Sequence, residues 1–334
     1  MSAAVDVGVA SRPAFAEGAA GWARRNSWTL ALAALLAGFL VLTKLIQPSY
    51  GATELQGLAI GALPIALAAV AQAIVVISGG IDLSVGSMMA LTCVTSAVLM
   101  EDQSEGAAVV VVAGVLLLGL VLGTINGMAI VITRVPDIVV TLAMSFVWAG
   151  ATLLILDTPG GGAADWVKGS VNGAILSEWI PRALVVLVVV VGAIWIPLRR
   201  SMLGLSIYAT GSDRLAAFRS GVAVERTKIV AYALTGLFCA FGGLAVTAST
   251  GAGSPVPGPY TLQSVAAIVL GGVTLAGGRG GIVGPIIAVF ILQLVRTDLT
   301  LIGVNANFST VVQGVILIGV VLFGSLLAMR RVRA

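Results

Sequence analysis

The sequence predicts an all-α polytopic membrane protein with about ten transmembrane helices. Three observations predict it. Of the 334 residues, 59% are hydrophobic and only 10% are charged, where a soluble domain carries about a quarter charged residues. The mean hydropathy is +1.10. The apolar runs recur at close to the roughly 20 residues that cross a hydrocarbon core once, and they exceed what one core can bury.

In chain order the spans fall at 28–46, 58–77, 84–100, 107–131, 137–156, 181–198, 228–249, 261–276, 281–296 and 308–328. Residues 1–27 are polar and small and lack the apolar core and cleavage site of a secretory signal. They are expected to form a cytoplasmic segment ahead of a first helix that is its own uncleaved anchor, with 28–328 as the membrane domain and 329–334 as a cytoplasmic tail. Placing the N-terminus in the cytoplasm returns the C-terminus there after ten crossings. Fourteen of the 18 basic residues then lie inside, and only Lys44, Lys168, Arg182 and Arg296 remain outside, which is the positive-inside asymmetry.

The connections differ in character. Glu101–Glu105 is an acidic outer turn, and 157–180 is the longest outer connection, opening on Pro159-Gly160-Gly161-Gly162 and carrying Trp166 and Trp179. These tryptophans suit a membrane interface or a gate. Gly251–Tyr260, with Pro255, Pro257 and Pro259, is a stiff turn that excludes helix. Two glycine-rich hairpins, Gly79-Gly80-Ile81-Asp82-Leu83 and Gly271-Gly272-Val273-Thr274-Leu275, are both expected at the cytoplasmic face; five similar residues are too few to define a repeat.

The stretch Gly79–Ser87 concentrates the chemistry. Asp82 lies between the apolar runs Leu58–Ile77 and Met88–Met100, where a carboxylate costs about 2.5–3.5 kcal/mol on insertion scales. Gly79, Gly80 and Gly86 interrupt the helix and permit close backbone approach. Ser84 or Asp82 is then expected to cap the next helix. A structural capped hairpin and a gate signature both fit.

Residues 199–228 form the longest and most polar inner connection. Ser212 or Asp213 suits an N-cap and Gly221 a left-handed stop, leaving room for a helix of roughly eight residues, about 12 Å long. Leu215, Ala216 and Phe218 need a surface to pack on, either the protein's own helix ends or a groove on a cytoplasmic motor subunit. Arg214, Ala217 and Arg219 complete this candidate coupling segment.

Other chemistry is disfavoured. There is no His, none of the lysines Lys44, Lys168 and Lys228 sits in a phosphate-binding loop, and Cys93 and Cys239 lie inside apolar runs. No metal site, no catalytic acid–base pair and no nucleic-acid patch is expected. Gln72, Asn126, Thr141, Ser145 and Gln263 are candidate pathway-lining groups, though small polar residues in membrane helices more often bond between helices, at about 0.6 kcal/mol each.

Four segments in order, Gly79–Ser87, Val135–Leu142, Gly204–Gly221 and Val269–Gly280, resemble the permease subunits of bacterial ribose-type sugar ABC importers. Asp137 followed directly by Ile138 departs from that pattern, as do Pro64 and the Ala-Val-Ala-Gln-Ala run 69–73, which points to a subgroup with a different substrate. The resemblance implies a type II importer-like permease in the bacterial inner membrane. It implies pairing with a second, identical or different permease subunit, a cytoplasmic ATP-binding subunit that holds the ATP, and a periplasmic binding protein delivering a monosaccharide. No cofactor is expected on this chain. An ion-coupled secondary transporter, with Asp82 as the coupling acid, and a permease for branched-chain amino acids or nucleosides remain as alternatives.

Overall fold

The computed structural model describes residues 26–305 apart from Pro257, with a few positions between 308 and 319. Most of the expected tenth span, most of the N-terminal segment and the C-terminal tail lie outside the described residues.

The order is α1 (Ser27–Ile46), α2 (Ala52–Ile77), α3 (Val85–Met100), α4 (Glu105–Thr133), α5 (Asp137–Ile155), α6 (Asp165–Val171), β1 (Ala174–Ile175), β2 (Ser177–Pro181), α7 (Arg182–Arg200), α8 (Met202–Ser212), α9 (Arg214–Arg219), α10 (Val224–Thr250), α11 (Tyr260–Leu270) and α12 (Val283–Leu301). Among the described residues seven helices, α1, α2, α4, α5, α7, α10 and α12, are long and apolar enough to cross a membrane, while α3 and α11 are shorter apolar helices. The chain is a polytopic, helical membrane protein.

Three boundaries are corrected, and the 157–180 connection gains structure: it contains α6 and the short antiparallel β1–β2 hairpin beside the helical bundle. Glu105 organises this region by accepting hydrogen bonds from the first-turn amides of Asp165 (3.0 Å) and Trp166 (3.4 Å). The 199–228 connection is mostly helix, because Ser201 caps α8 through the Gly204 amide and α10 begins at Val224, its first turns carrying Glu225, Arg226 and Lys228. The eighth span stops at Leu270 because Gly271-Gly272 turns the chain. The second begins at Ala52, where the Glu54 carboxylate reaches back to the Gly51 amide.

α2 is the axis of the bundle. Every residue from Ala62 to Ile77 is buried, as a helix apolar on all sides should be. Around it stand α10, α11, α12, α7 and the β2 strand, and α10 also packs on α3 and α4. Lipid is as apolar as leucine, so close packing of small residues holds such helices together. α4 shows this: Gly119, Gly123 and Gly127, spaced by four, lie against the backbone of Ile229, Tyr232 and Gly236 on α10.

Two contacts fix helix direction. Trp28 at the start of α1 donates to the carbonyl of Leu270, the last residue of α11 (3.0 Å), next to Gly271, which packs on Gly284 and Pro285 at the start of α12, and Thr43 near the end of α1 donates to Asp298 near the end of α12 (2.7 Å). α1 and α12 therefore run parallel. One end of the bundle collects α8, α9, the α4–α5 junction and the two glycine turns; it is called the α9 end below. The opposite end carries the β-hairpin and is tied by backbone bonds, Gly160 to Gly253 in both directions and Gly162 to the Ala97 carbonyl.

Candidate functional site

The α9 end assembles four separate segments of the sequence. Its centre is the connection from Gly79 to Ser84. α2 ends on Gly79 in the left-handed region (φ 84°), with Gly79 N–H on Val76 O and Gly80 N–H on Val75 O, the closed cap that only glycine adopts without strain. α11 ends identically: Gly272 has φ 83°, its N–H bonds Val269 O, and Val273 N–H bonds Ile268 O. The two hairpins thus match in backbone, but one residue out of the register in which their sequences align: Gly79 matches Gly272, and Asp82 matches Leu275.

The two turns touch. Gly278 N–H donates to the Ile77 carbonyl (2.9 Å), and a Cβ on Gly277 would stand 2.9 Å from Gly79 Cα. Gly211, one turn of chain before α9, is wedged between them: a Cβ there would strike the Ile77 carbonyl and stand 2.7 Å from Gly278 N.

Beyond Gly80 the chain turns into the bundle. The Asp82 carboxylate accepts both the Ser84 amide (2.8 Å) and the Ser84 hydroxyl (2.6 Å) through Oδ1. The Ser84 hydroxyl in turn accepts from Asn126 Nδ2 (2.8 Å), whose Oδ1 accepts from Trp148 Nε1 (3.2 Å). All of these side chains are buried. Asn126 stands two helical turns, about 10 Å, in from the end of α4. The capping expectation is therefore corrected: Ser84 occupies the N-cap position of α3 without a side-chain cap bond, its hydroxyl being committed to this chain. Asp82 Oδ2 has no partner among the described residues.

α3 and α11 begin at this depth together. Thr261 in the first turn of α11 accepts from the Gly86 amide in the first turn of α3 (2.9 Å). Two short helices thus start at one part-buried point, a placement that resembles the interrupted helices transporters use to hold polar groups inside a membrane.

Side chains from α5 and α10 hold the connection. Thr141 accepts the Leu83 amide (3.1 Å) and lies 3.2 Å from Ile81 O. Lys228 forms an ion pair with Asp137 (2.6 Å), with side-chain exposures of only 10% and 12%. Tyr232 donates to the other Asp137 oxygen (2.8 Å) and sits 3.3 Å from Ile81 O. Removing one partner of such a pair strands a buried charge, a loss of about 3–5 kcal/mol.

α9 is shorter than expected, six residues, and is capped as expected: Asp213 accepts the Ala216 amide (2.9 Å), and Gly221 takes φ 85°. Ala217 is buried, whereas Leu215 is 57% and Phe218 68% exposed. Arg214, Leu215 and Phe218 with residues 222–226 line a groove of about 540 Å³.

Of the five candidate pathway residues, Asn126 and Thr141 join the buried network. Gln72 is buried in α2 with both amide atoms unpartnered among the described residues, the Ser145 hydroxyl bonds Leu142 O on its own helix, and Gln263 is half-buried on α11. Sequence reasoning missed Asp137, Lys228, Tyr232, Thr261 and Gly211. An acid and a base at the edges of two apolar spans, each too costly to bury alone, were the available signal for the ion pair.

Comparison with known proteins places this architecture. Residues 55–321 match the family model described as branched-chain amino acid transport system / permease component. The chain is 33% identical to the ribose import permease protein RbsC of Escherichia coli K12 over 77% of this chain and 81% of that protein. It is 34% identical to the RbsC of Bacillus subtilis over 77% and 80%, and 29% identical to the autoinducer 2 import system permease protein LsrD of Escherichia coli O9:H4 over 89% and 92%. No solved structure matches. Helices, buried polar connection and family match together identify the chain as a member of the branched-chain amino acid transport system / permease component family, a multi-pass, non-catalytic membrane permease of the bacterial ABC importers.

Proposed function

We propose that this permease carries a monosaccharide, a ribose- or xylose-like pentose, a hexose or a related polyol, into the cytoplasm after delivery by a periplasmic binding protein. Two permease subunits, identical or different, form the pathway, and an ATP-binding subunit at the α9 end, the cytoplasmic end in this reading, drives it. The observation that carries this reading is α9 itself. A capped helix that holds Leu215 and Phe218 out of its own protein, flanked by Arg214 and Arg219 and bordered by an open groove, is built to be gripped. The ribose named for the relatives above supports the sugar; the Gly79–Ser87 signature supports the same branch.

The test is uptake into proteoliposomes holding the permease with its ATPase and binding protein. Uptake that requires internal ATP and the binding protein, and that pentoses compete for, is the expected result. Competition by leucine or isoleucine instead would favour the branched-chain amino acid reading carried by the family model's description. Uptake by the chain alone on an ion gradient would overturn both.

A further inference from the structure

We infer that the Lys228–Asp137 ion pair, with Tyr232, is the link that carries movement of α9 into the buried Gly79–Ser84 connection. The inference rests on the importer reading and names the residues through which that importer would be driven.

α9 is joined to α10 by only residues 220–223, and this link is short-circuited by hydrogen bonds from Val222 N–H to Ala217 O and from Val224 N–H to Val222 O. A displacement of α9 is therefore passed to the first turns of α10 rather than absorbed by slack chain. Lys228 and Tyr232 lie one turn apart on that part of α10, and both are bonded to the Asp137 carboxylate, one to each oxygen. Asp137 is the first residue of α5. One turn on, Thr141 holds the Leu83 amide, and Tyr232 lies against the Ile81 carbonyl. Ile81 and Leu83 flank Asp82, from which the hydrogen-bonded chain Ser84–Asn126–Trp148 runs into the bundle.

The clearance at Gly80 shows how closely these parts are fitted. A Cβ there would collide with Asp137 Oδ2, and would stand 2.8 Å from the Tyr232 hydroxyl. On the other side of α9, α8 meets the connection through Gly211, wedged on Ile77 and Gly278. The elements flanking α9 thus hold the connection from both sides: α8 by backbone contact before it, and α10 by removable side chains after it. Close-packed contacts of this kind switch between discrete arrangements rather than deform gradually. Lys228, Asp137 and Tyr232 are positioning residues; none is assigned a contact with substrate.

The experiment measures uptake and ATP hydrolysis in the same proteoliposomes containing the complete assembly. The main variant is the double substitution Asp137→Asn/Lys228→Met, which removes both charges together and so strands neither. Tyr232→Phe deletes a single hydroxyl, and remains informative if the double variant does not fold. Lys228→Arg keeps the charge. The double variant is expected to reach the membrane and hydrolyse ATP within about twofold of wild type while uptake per ATP falls about tenfold. Tyr232→Phe should lower that ratio about threefold, and Lys228→Arg should preserve it. Unchanged uptake per ATP in the double variant and Tyr232→Phe overturns the inference. So does a parallel fall of protein amount, hydrolysis and uptake in Tyr232→Phe, which marks a purely structural role. Absence of ATP-dependent uptake in the wild type fails the importer reading, and the link with it.

Discussion

The turns at Gly79 and Gly272 close two helices with the same backbone, yet the chain beyond them goes opposite ways. After Gly79 it enters the bundle, and Asp82 is fully buried. After Gly272 it stays at the surface, and Leu275, the structural counterpart of Asp82, is 45% exposed. Hydropathy alone would exchange the two positions. What reverses them is partner supply: Asp82 finds the Ser84 amide and hydroxyl waiting, and the connection around it is fastened by Thr141 and Tyr232. The Thr274 hydroxyl lies instead within its own loop, near Gly277 O and Arg279 O. A local cap sets where a helix stops; the partners beyond it decide where the chain goes and which turn has work to do.

Breaking the contact between the turns should have the largest effect. Gly211→Val forces a branched side chain into the Ile77 carbonyl, so both turns must part. A loss of about 3 kcal/mol, read as a lowered melting temperature in detergent, is expected. The next largest contrast is functional. Asp82→Ala leaves the Ser84 amide and hydroxyl without their acceptor, a loss of about 1–3 kcal/mol, and should lower uptake well beyond any fall in protein amount. Leu275→Ala should change uptake by less than about twofold, since exposed substitutions are usually near neutral. Equal falls in uptake and amount for Asp82→Ala would make it a folding residue only.

A finer comparison uses the glycines themselves. Gly79→Ala and Gly272→Ala each place a Cβ in the left-handed region, at about 1–2 kcal/mol. Gly272→Ala also brings that Cβ to 2.7 Å from Trp28 Cδ1, whereas Gly79→Ala meets nothing nearer than Gly211 Cα at 3.4 Å, so stability should drop more in Gly272→Ala, with Gly79→Ala alone reducing uptake. The smallest effect is expected from Trp28→Phe, which removes the bond to Leu270 O beside the second turn; about 1 kcal/mol of stability should go, with uptake unchanged.

The bundle was legible in the sequence because hydropathy is additive along the chain: among the described residues nine apolar helices lie near the spans read from it, and the cap at Asp213 and the stop at Gly221 follow local chemistry. Asp82 announced itself as a carboxylate in an apolar setting. Long-range pairing was hidden. Asp137 and Lys228 are 91 residues apart, and no pattern of period 3.6 joins them. In the sequence Lys228 is one of the inner-face basic residues and lies outside any phosphate-binding loop, whereas in the fold it is buried against Asp137. α8 was hidden because Gly204, Ser206, Thr210 and Gly211 are scattered among its apolar residues and leave no apolar stripe over its 11 residues, and the Gly119–Gly123–Gly127 spacing was visible but unused. The register between the twin turns could not be read from identity, because it is set by hydrogen bonds rather than by side chains.

The most direct test of the central claim is ATP-dependent uptake by the assembly carrying Phe218→Asp on the exposed face of α9. The account predicts normal insertion and stability with uptake lost, because a charge replaces the side chain offered to the motor subunit. Uptake at the wild-type rate would contradict it.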